Sequence, residues 1–309
     1  MSDAVLNIRA GGYQGPASVH TRAMYAFGEA LKAELGDAVT FDFTESVIAE
    51  GLKAAELLRR VEDGRLTICY FSASYLADRV AEIALLDMPF TFTDRANTYA
   101  IVDGPLGRRL ADLLAANTGY RLLSFWDNGF RHLSNGVRPI RTPDDCKGLT
   151  IRTLFSELHR QVFAALGFEP VPLDVAELVD ACKTGRVTAQ ENPLTNTYNF
   201  GIHEFHPYIT LSTHFFGPCA FLCNADAYAS WTDAQREAVG RAAAHATAVQ
   251  RGLAAAEDAE MLAKLAETDV QVVELTAAER AAFAAAVAPV TAAQREKFGD
   301  ELFGMLGGA

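Results

Sequence analysis

Thr142-Pro143-Asp144-Asp145-Cys146-Lys147-Gly148-Leu149-Thr150-Ile151-Arg152 puts a turn, a buried strand and a charge into one short run. Proline and aspartate open it as a connection, which closes at Gly148. Leu149 and Ile151 then alternate with Thr150 and Arg152, the two-residue period of a strand with one face in a core. An arginine that ends such a strand can project into a cleft. Its planar guanidinium offers a fork of donors that matches a carboxylate with two parallel hydrogen bonds; a lysine would supply charge without that geometry. Taken alone, an arginine at a strand end is most often a surface residue or part of a structural salt bridge, so the rest of the chain has to decide.

Outward from this run, strands alternate with helices. Strand patterns cover Val5–Arg9, Val39–Phe43, Leu66–Phe71, Arg121–Trp126, His132–Ser134, Leu149–Thr153, Glu169–Pro172, Tyr208–Phe216 and Ala220–Asn224. Helical spacing covers Val19–Leu35, Leu52–Glu62, Ala96–Asn117, Glu157–Leu166 and Val175–Thr184. From Asp233 the chain is Ala-rich and helical, with one break near Asp269–Leu275. The alternation predicts an α/β fold with mostly parallel, helix-covered sheets. The length of 309 residues suggests two domains. No Ser/Gly-rich linker separates them, so the chain must cross through short strands, which suits a hinge.

The net charge of -12 argues against nucleic acid and against an anionic membrane surface, both of which need a basic face. It leaves room for a small anion, since one buried arginine can act inside an acidic protein. No apolar run approaches the length of a membrane span. Met1 to Ile8 show no basic segment followed by an apolar core, so no signal peptide is visible. The protein is then either cytoplasmic or a mature form of an exported one. Cys69, Cys146, Cys182, Cys219 and Cys223 are scattered and odd in number, which fits small buried hydrophobes better than a disulfide framework or reactive thiols.

The common catalytic signatures fail. Gly11-Gly12-Tyr13-Gln14-Gly15 sits between a strand and a helix but lacks the spacing of a dinucleotide loop and the ending of a Walker loop. It is either a loop that shows backbone N–H groups to a ligand or a tight turn. His203, Glu204 and His206 lack a third metal ligand nearby and read as a solvated loop. No nucleophile elbow occurs. His214 is equally a ligand contact or a satisfied core histidine. Neither a cofactor nor a metal is expected.

Three segments stand together: Trp126-Asp127-Asn128-Gly129-Phe130-Arg131-His132, the run from Thr142 to Arg152, and Gln190-Glu191-Asn192-Pro193-Leu194. In order and spacing they resemble the substrate-binding proteins of the tripartite ATP-independent periplasmic (TRAP) transporters, the DctP family named for C4-dicarboxylate uptake. Leu86-Asp87-Met88-Pro89-Phe90-Thr91-Phe92 and Asp103-Gly104-Pro105-Leu106-Gly107 extend the resemblance, which runs from about Leu6 to Trp231. Val187-Thr188-Ala189 departs from the family's usual Val-Asp-Gly, and Glu177 to Gly185 lacks the tyrosine of the family's helix.

The resemblance implies a two-lobed periplasmic-binding-protein-like fold. A ligand cleft lies between the lobes, and a long C-terminal helix, here Asp233–Ala266, bridges them. Residues 1–126 plus about 215–250 would form lobe I, and 127–214 plus about 251–309 lobe II. It implies no enzyme, but a periplasmic, monomeric protein that captures a small organic acid by hinge closure and hands it to TRAP membrane subunits. Arg152 matches the arginine that pairs with the ligand carboxylate, Arg131 a second arginine near it, and Asn192 the asparagine that completes the grip. Positions after the strands add Tyr13, Gln14, Phe71, Ser72, Tyr75, Trp126, Asn128, Phe215 and Phe216. That set is aromatic and hydroxyl-rich, which suggests a monocarboxylate with an apolar or aromatic body, or a keto or hydroxy acid; the same aromatics could instead be core packing. Two rival functions remain: a lyase or hydrolase holding substrate on Arg152 with His132 or His214 as acid or base, and a ligand-sensing module.

Overall fold

A computed structural model describes residues 5–307. The reading of the leader falls partly on Met1 to Ala4, which lie outside the described residues. In chain order the elements are β1 (Leu6–Gly11), α1 (Val19–Leu35), β2 (Val39–Thr44), α2 (Glu56–Glu62), β3 (Ile68–Ser72), α3 (Arg95–Val102), α4 (Pro105–Asn117) and β4 (Tyr120–Asn135). There follow β5 (Thr150–Thr153), α5 (Glu157–Ala165), β6 (Glu169–Pro172), α6 (Val175–Lys183), β7 (Ala189–Asn192), α7 (Leu194–Asn199) and β8 (Tyr208–Asn224). The chain ends with α8 (Ala225–Ser230), α9 (Asp233–Ala266), β9 (Gln271–Glu274) and α10 (Ala277–Gly304).

The α/β alternation holds, and the chain divides into two compact units. The first contains the described residues through Ala73, Gly107–Asp127 and Pro218–Ala255. The second contains Ser74–Leu106, Asn128–Gly217 and the described residues from Ala256 on. β4, β8 and α9 each supply residues to both. Residues 74–106, placed from sequence with lobe I, fall in the second unit. The reason lies in their partners: Asp87 meets His159, the Phe90 N–H donates to the His214 carbonyl, and Arg95 pairs with Asp258.

In the first unit β1 lies between β2 and β3, parallel to both, and β3 pairs antiparallel with the last residues of β8 (Ser72 with Cys219 through Ile68 with Cys223). Every residue of β3 is buried, as a strand covered on both faces requires. α1 starts where Ser18 accepts a hydrogen bond from the His20 N–H, an ordinary N-cap. In the second unit β5 lies between β6 and β7, parallel to both, and β7 pairs antiparallel with the end of β4. β9 runs parallel to the start of β8.

Local chemistry explains the opening run. Thr142 and Asp145 form a reciprocal capping box around a 3-10 turn. Gly148 then sits at φ +75, a backbone state that suits glycine alone, and delivers the chain into β5.

Several boundaries differ from expectation. Arg121–Trp126 and His132–Ser134 are one strand, β4; Gly129, at φ +89, interrupts the alternation without ending the strand. Tyr208–Phe216 and Ala220–Asn224 are likewise one strand, β8. Ala96–Asn117 is two helices, because Pro105 has no N–H to continue the first. The break near Asp269–Leu275 holds β9, too short to show a period. The stretch from His203 to His206, read as solvated, buries His206 against Ser134, with 3.1 Å between His206 Nδ1 and Ser134 Oγ. All five cysteines are buried and free, and burial pushes the Cys182 and Cys223 thiols up to about 12, far from reactivity.

Candidate functional site

Arg152 comes off β5 and is 1% exposed. Its Nε donates to the Leu173 carbonyl at 2.9 Å, which fixes the plane of the guanidinium. Its Nη2 is buried and has no hydrogen-bond partner among the described residues. Nor does Arg152 form an ion pair among them. Tyr75 lies beside it: burial raises the Tyr75 phenol above its ordinary range, the Arg152 and Arg131 charges oppose the rise, and the Asp174 charge adds to it. The Tyr75 ring also meets Phe155, centroids 5.9 Å apart. A buried, oriented donor with no acceptor is an anion-binding group by its chemistry.

Arg131 is arranged differently. It leaves β4 and is buried, but its fork is already filled. Its Nε donates to Glu191 Oε2, and its Nη2 donates to Glu191 Oε1 at 2.8 Å, to the Glu191 carbonyl at 2.8 Å and to Asn192 Oδ1 at 3.3 Å. Burial alone would raise the Glu191 carboxyl; the Arg131 charge and hydrogen bonds from His214 and Arg131 overturn that and hold it below the usual carboxylate range. His214 Nε2 stands 3.3 Å from Glu191 Oε2, and its Nδ1 2.7 Å from Ser212 Oγ. His159 completes the cluster, 3.9 Å from Glu191 and 3.1 Å from Asp87, in the latter case without hydrogen-bond alignment.

Asn192 is held on all sides. Its Nδ2 donates to Gln190 Oε1 at 2.6 Å, and its Oδ1 accepts from Asn196 Nδ2 at 3.3 Å as well as from Arg131. Gln190 in turn donates to Ser134 at 2.7 Å. Gly129 is required here: a Cβ on it would come within 3.0 Å of Pro193 Cβ. So the sequence blocks around Gly129-Phe130-Arg131 and Gln190-Glu191-Asn192-Pro193 fold against each other in the second unit. Asn128 Oδ1 is buried without a hydrogen-bond partner among the described residues. Phe215 stacks on His159, centroids 4.5 Å apart, and Phe216 meets Phe130 at 5.3 Å.

The first unit gathers Tyr13, Gln14, Phe71 and Trp126. Tyr13 meets Phe71 at 5.1 Å and Tyr70 at 5.4 Å. Trp126 stacks on Phe221 at 4.4 Å and donates its indole N–H to Thr247 Oγ1 at 3.1 Å. Ser72 is buried at the end of β3. The rings of Trp126 and Phe215 are therefore taken up by protein neighbours, the packing role left open for them. Sequence reasoning passed over Glu191, His159 and His20. The first stood in plain view, a lone carboxylate between two amides in a strand that is buried throughout; such a charge needs a buried partner.

His206 carries a measurable consequence. Burial lowers it from 6.5 to about 4. Between those values the unfolded chain binds the proton and the folded one does not, so stability falls as pH drops from 6.5 toward 4. At pH 5.5 this one residue accounts for about 1.4 kcal/mol. In His206→Asn, chemical denaturation at pH 7 and 5.5 should show the pH-dependent loss reduced by that amount; an unchanged loss would refute the burial argument.

Residues 11–297 match the family described as bacterial extracellular solute-binding protein, family 7. A solute-binding protein from Verminephrobacter eiseniae is 31% identical over 244 residues, 79% of this chain and 72% of the relative. Among solved structures, the sugar acid binding protein from Advenella mimigardefordensis in complex with galactonate superposes with a TM-score of 0.93 at 28% identity, covering 99% of this chain and 98% of that one. A TRAP periplasmic solute binding protein from Sulfurospirillum deleyianum with bound succinate gives 0.92 at 26% identity, covering 98% of each.

Proposed function

Because the chain belongs to family 7 of the bacterial extracellular solute-binding proteins, we propose that Arg152 clamps the carboxylate of a small organic acid that this protein captures for a TRAP-type transporter. The observation that carries the assignment is the buried Arg152 Nη2 without a protein acceptor. Arg131 and Asn192 then support the site through Glu191 and Gln190, and Tyr75 and Asn128 border it from the same unit. Tyr13, Gln14, Phe71, Ser72 and Trp126 are the first unit's contribution to ligand contact, directly or by packing. Galactonate and succinate, seen with two similar proteins, are both carboxylates. The partners are the acid and the membrane subunits of the transporter, and the protein works in the periplasm. No helix among the described residues is long and apolar enough to cross a membrane, which suits a carrier that meets its membrane partner by docking.

Catalysis is disfavoured by the state of the two histidines that could serve as acid or base. The His132 Nδ1 accepts from the Thr213 N–H at 3.2 Å, and burial lowers the ring to about 3. His214 has both nitrogens engaged, one by Glu191 and one by Ser212. Burial lowers the His214 ring too, against the opposing pull of Glu191. Native mass spectrometry of the purified protein should show a retained acid, and denaturation should release it with mass unchanged after prolonged incubation. Conversion of the acid to a product would establish the lyase or hydrolase reading instead.

A further inference from the structure

We propose that the cavity walled by Phe90, Phe92, Thr93, Thr213 and Arg280 is a second binding site, for a small monoanion with an apolar or aromatic body such as benzoate, and that Arg280 holds its negative group. The cavity has a volume of about 310 Å³, and all five residues belong to the second unit. None of the residues assigned above to the capture of the organic acid lines it, so the site stands or falls apart from the Arg152 clamp.

Arg280 is the fourth residue of α10 and is half-buried. Its Nη1 donates to the Ser212 carbonyl at 2.6 Å and its Nη2 to the Leu211 carbonyl at 3.4 Å, so the fork is fixed against the backbone of β8. Both acceptors are neutral, and a guanidinium has five N–H groups to give. Glu279, its acidic neighbour in sequence, is engaged elsewhere: it accepts from the Thr276 N–H at 2.7 Å and from Arg141 Nη1 at 3.3 Å. Arg280 thus brings its charge and further donors to the cavity wall, and it is the only charged residue there among those described. Phe90 and Phe92 supply apolar faces. Phe92 is 2% exposed and its ring meets Phe216, centroids 6.4 Å apart, which keeps that face in place. Thr93 and Thr213 add hydroxyls.

The backbone of this wall is strained. Phe90, at φ +57, and Thr213, at φ +49, are the two non-glycine residues among those described with left-handed backbone, and both line this cavity. For a bulky and a β-branched residue that state is strongly disfavoured. It persists where the surroundings hold it: the Phe90 N–H donates to the His214 carbonyl at 2.8 Å, and the Thr213 N–H to His132 Nδ1 at 3.2 Å. Strain of this kind clusters at ligand clamps. The chemistry of the wall names the occupant. A guanidinium pairs with a carboxylate, and aromatic faces take a flat apolar body. A dicarboxylate would need a second cation, and an ammonium compound would meet the like charge of Arg280. The volume lies at the low end of the about 300–1,000 Å³ usual for ligand sites, which limits the occupant to a small molecule.

The test is equilibrium dialysis of benzoate against the full chain as wild type, Arg152→Ala, Arg280→Gln and the double variant. Glutamine keeps an N–H for the Ser212 carbonyl and removes the charge. Arg152→Ala should still bind one benzoate, with a Kd of about 1 mM or tighter, the strength expected for an acid of this size. Adding Arg280→Gln should weaken that binding about 10-fold, the effect of losing one charged hydrogen bond. Benzamide, which lacks the charge, and acetate, which lacks the apolar body, should each bind Arg152→Ala about 10-fold more weakly than benzoate. Thr93→Trp, which places bulk at an exposed position of the cavity rim, should give the same loss and serves as the probe if Arg280→Gln does not fold. Benzoate binding that is absent from Arg152→Ala, unmoved by both Arg280→Gln and Thr93→Trp, or matched by benzamide or acetate overturns the second site.

Discussion

Arg152→Ala is expected to weaken binding of the acid by about 2–5 kcal/mol, as for removal of one partner from a buried charge pair. The unliganded variant should at the same time be as stable as the wild type or more stable. The two halves of this expectation have one cause. The guanidinium is 1% exposed, holds one carbonyl at 2.9 Å and keeps a buried Nη2 without a hydrogen-bond partner among the described residues. A buried cation whose donors are not all matched burdens the fold by several kcal/mol. The ligand's carboxylate relieves that burden when it binds; alanine removes both the burden and the clamp. Arg152→Lys keeps the charge but not the fork and should fall between the two. Calorimetry gives the affinity, and denaturant unfolding with and without ligand gives the stabilities. Retained affinity combined with a marked loss of unliganded stability would make Arg152 a structural residue and end its assignment as the clamp.

What could be read in advance follows the reach of the forces involved. α1 and β6 were legible to the residue, because a helical stripe or an isolated short strand is a local signal. The run from Thr142 to Arg152 was legible for the same reason: its capping box, its left-handed glycine and its alternation all lie within a few residues. The continuity of β4 and β8 was not. Both are buried almost throughout along the second part of their length, so the alternation that marks a strand disappears where the strand is most enclosed. Motif order gave Arg152 the ligand carboxylate and Arg131 a place near it, but could not give Arg131 its partner. That pairing depends on register: β7 runs antiparallel to the end of β4, with His132 opposite Asn192 and Leu133 opposite Glu191. It brings Glu191 to Arg131, sixty residues away in sequence. Leu173, not a carboxylate, is what reaches Arg152.

The opposite expectation holds for Glu191. Glu191→Leu should destabilise the protein by about 3–5 kcal/mol, because it leaves the buried Arg131 guanidinium without its carboxylate partner. Arg131→Met combined with Glu191→Leu should recover much of the loss, since an apolar pair of similar volume often replaces a buried ion pair at little cost. The pH dependence separates charge from shape. The folded Glu191 carboxyl is held below its ordinary 4.5 despite burial, through Arg131 and His214. Its contribution is therefore fully present above about 4.5 and is lost only as pH falls below that value toward the folded pKa. Unfolding measured at pH 7 and at pH 3 should show a smaller acid-induced loss in Glu191→Leu than in the wild type. The same substitution also bears on the ligand. It removes the carboxylate paired with Arg131 in the unit that holds Arg152, and succinate should gain affinity relative to a monocarboxylate. An unchanged ratio of the two affinities would mean that Glu191 secures the fold without setting which acids the site accepts.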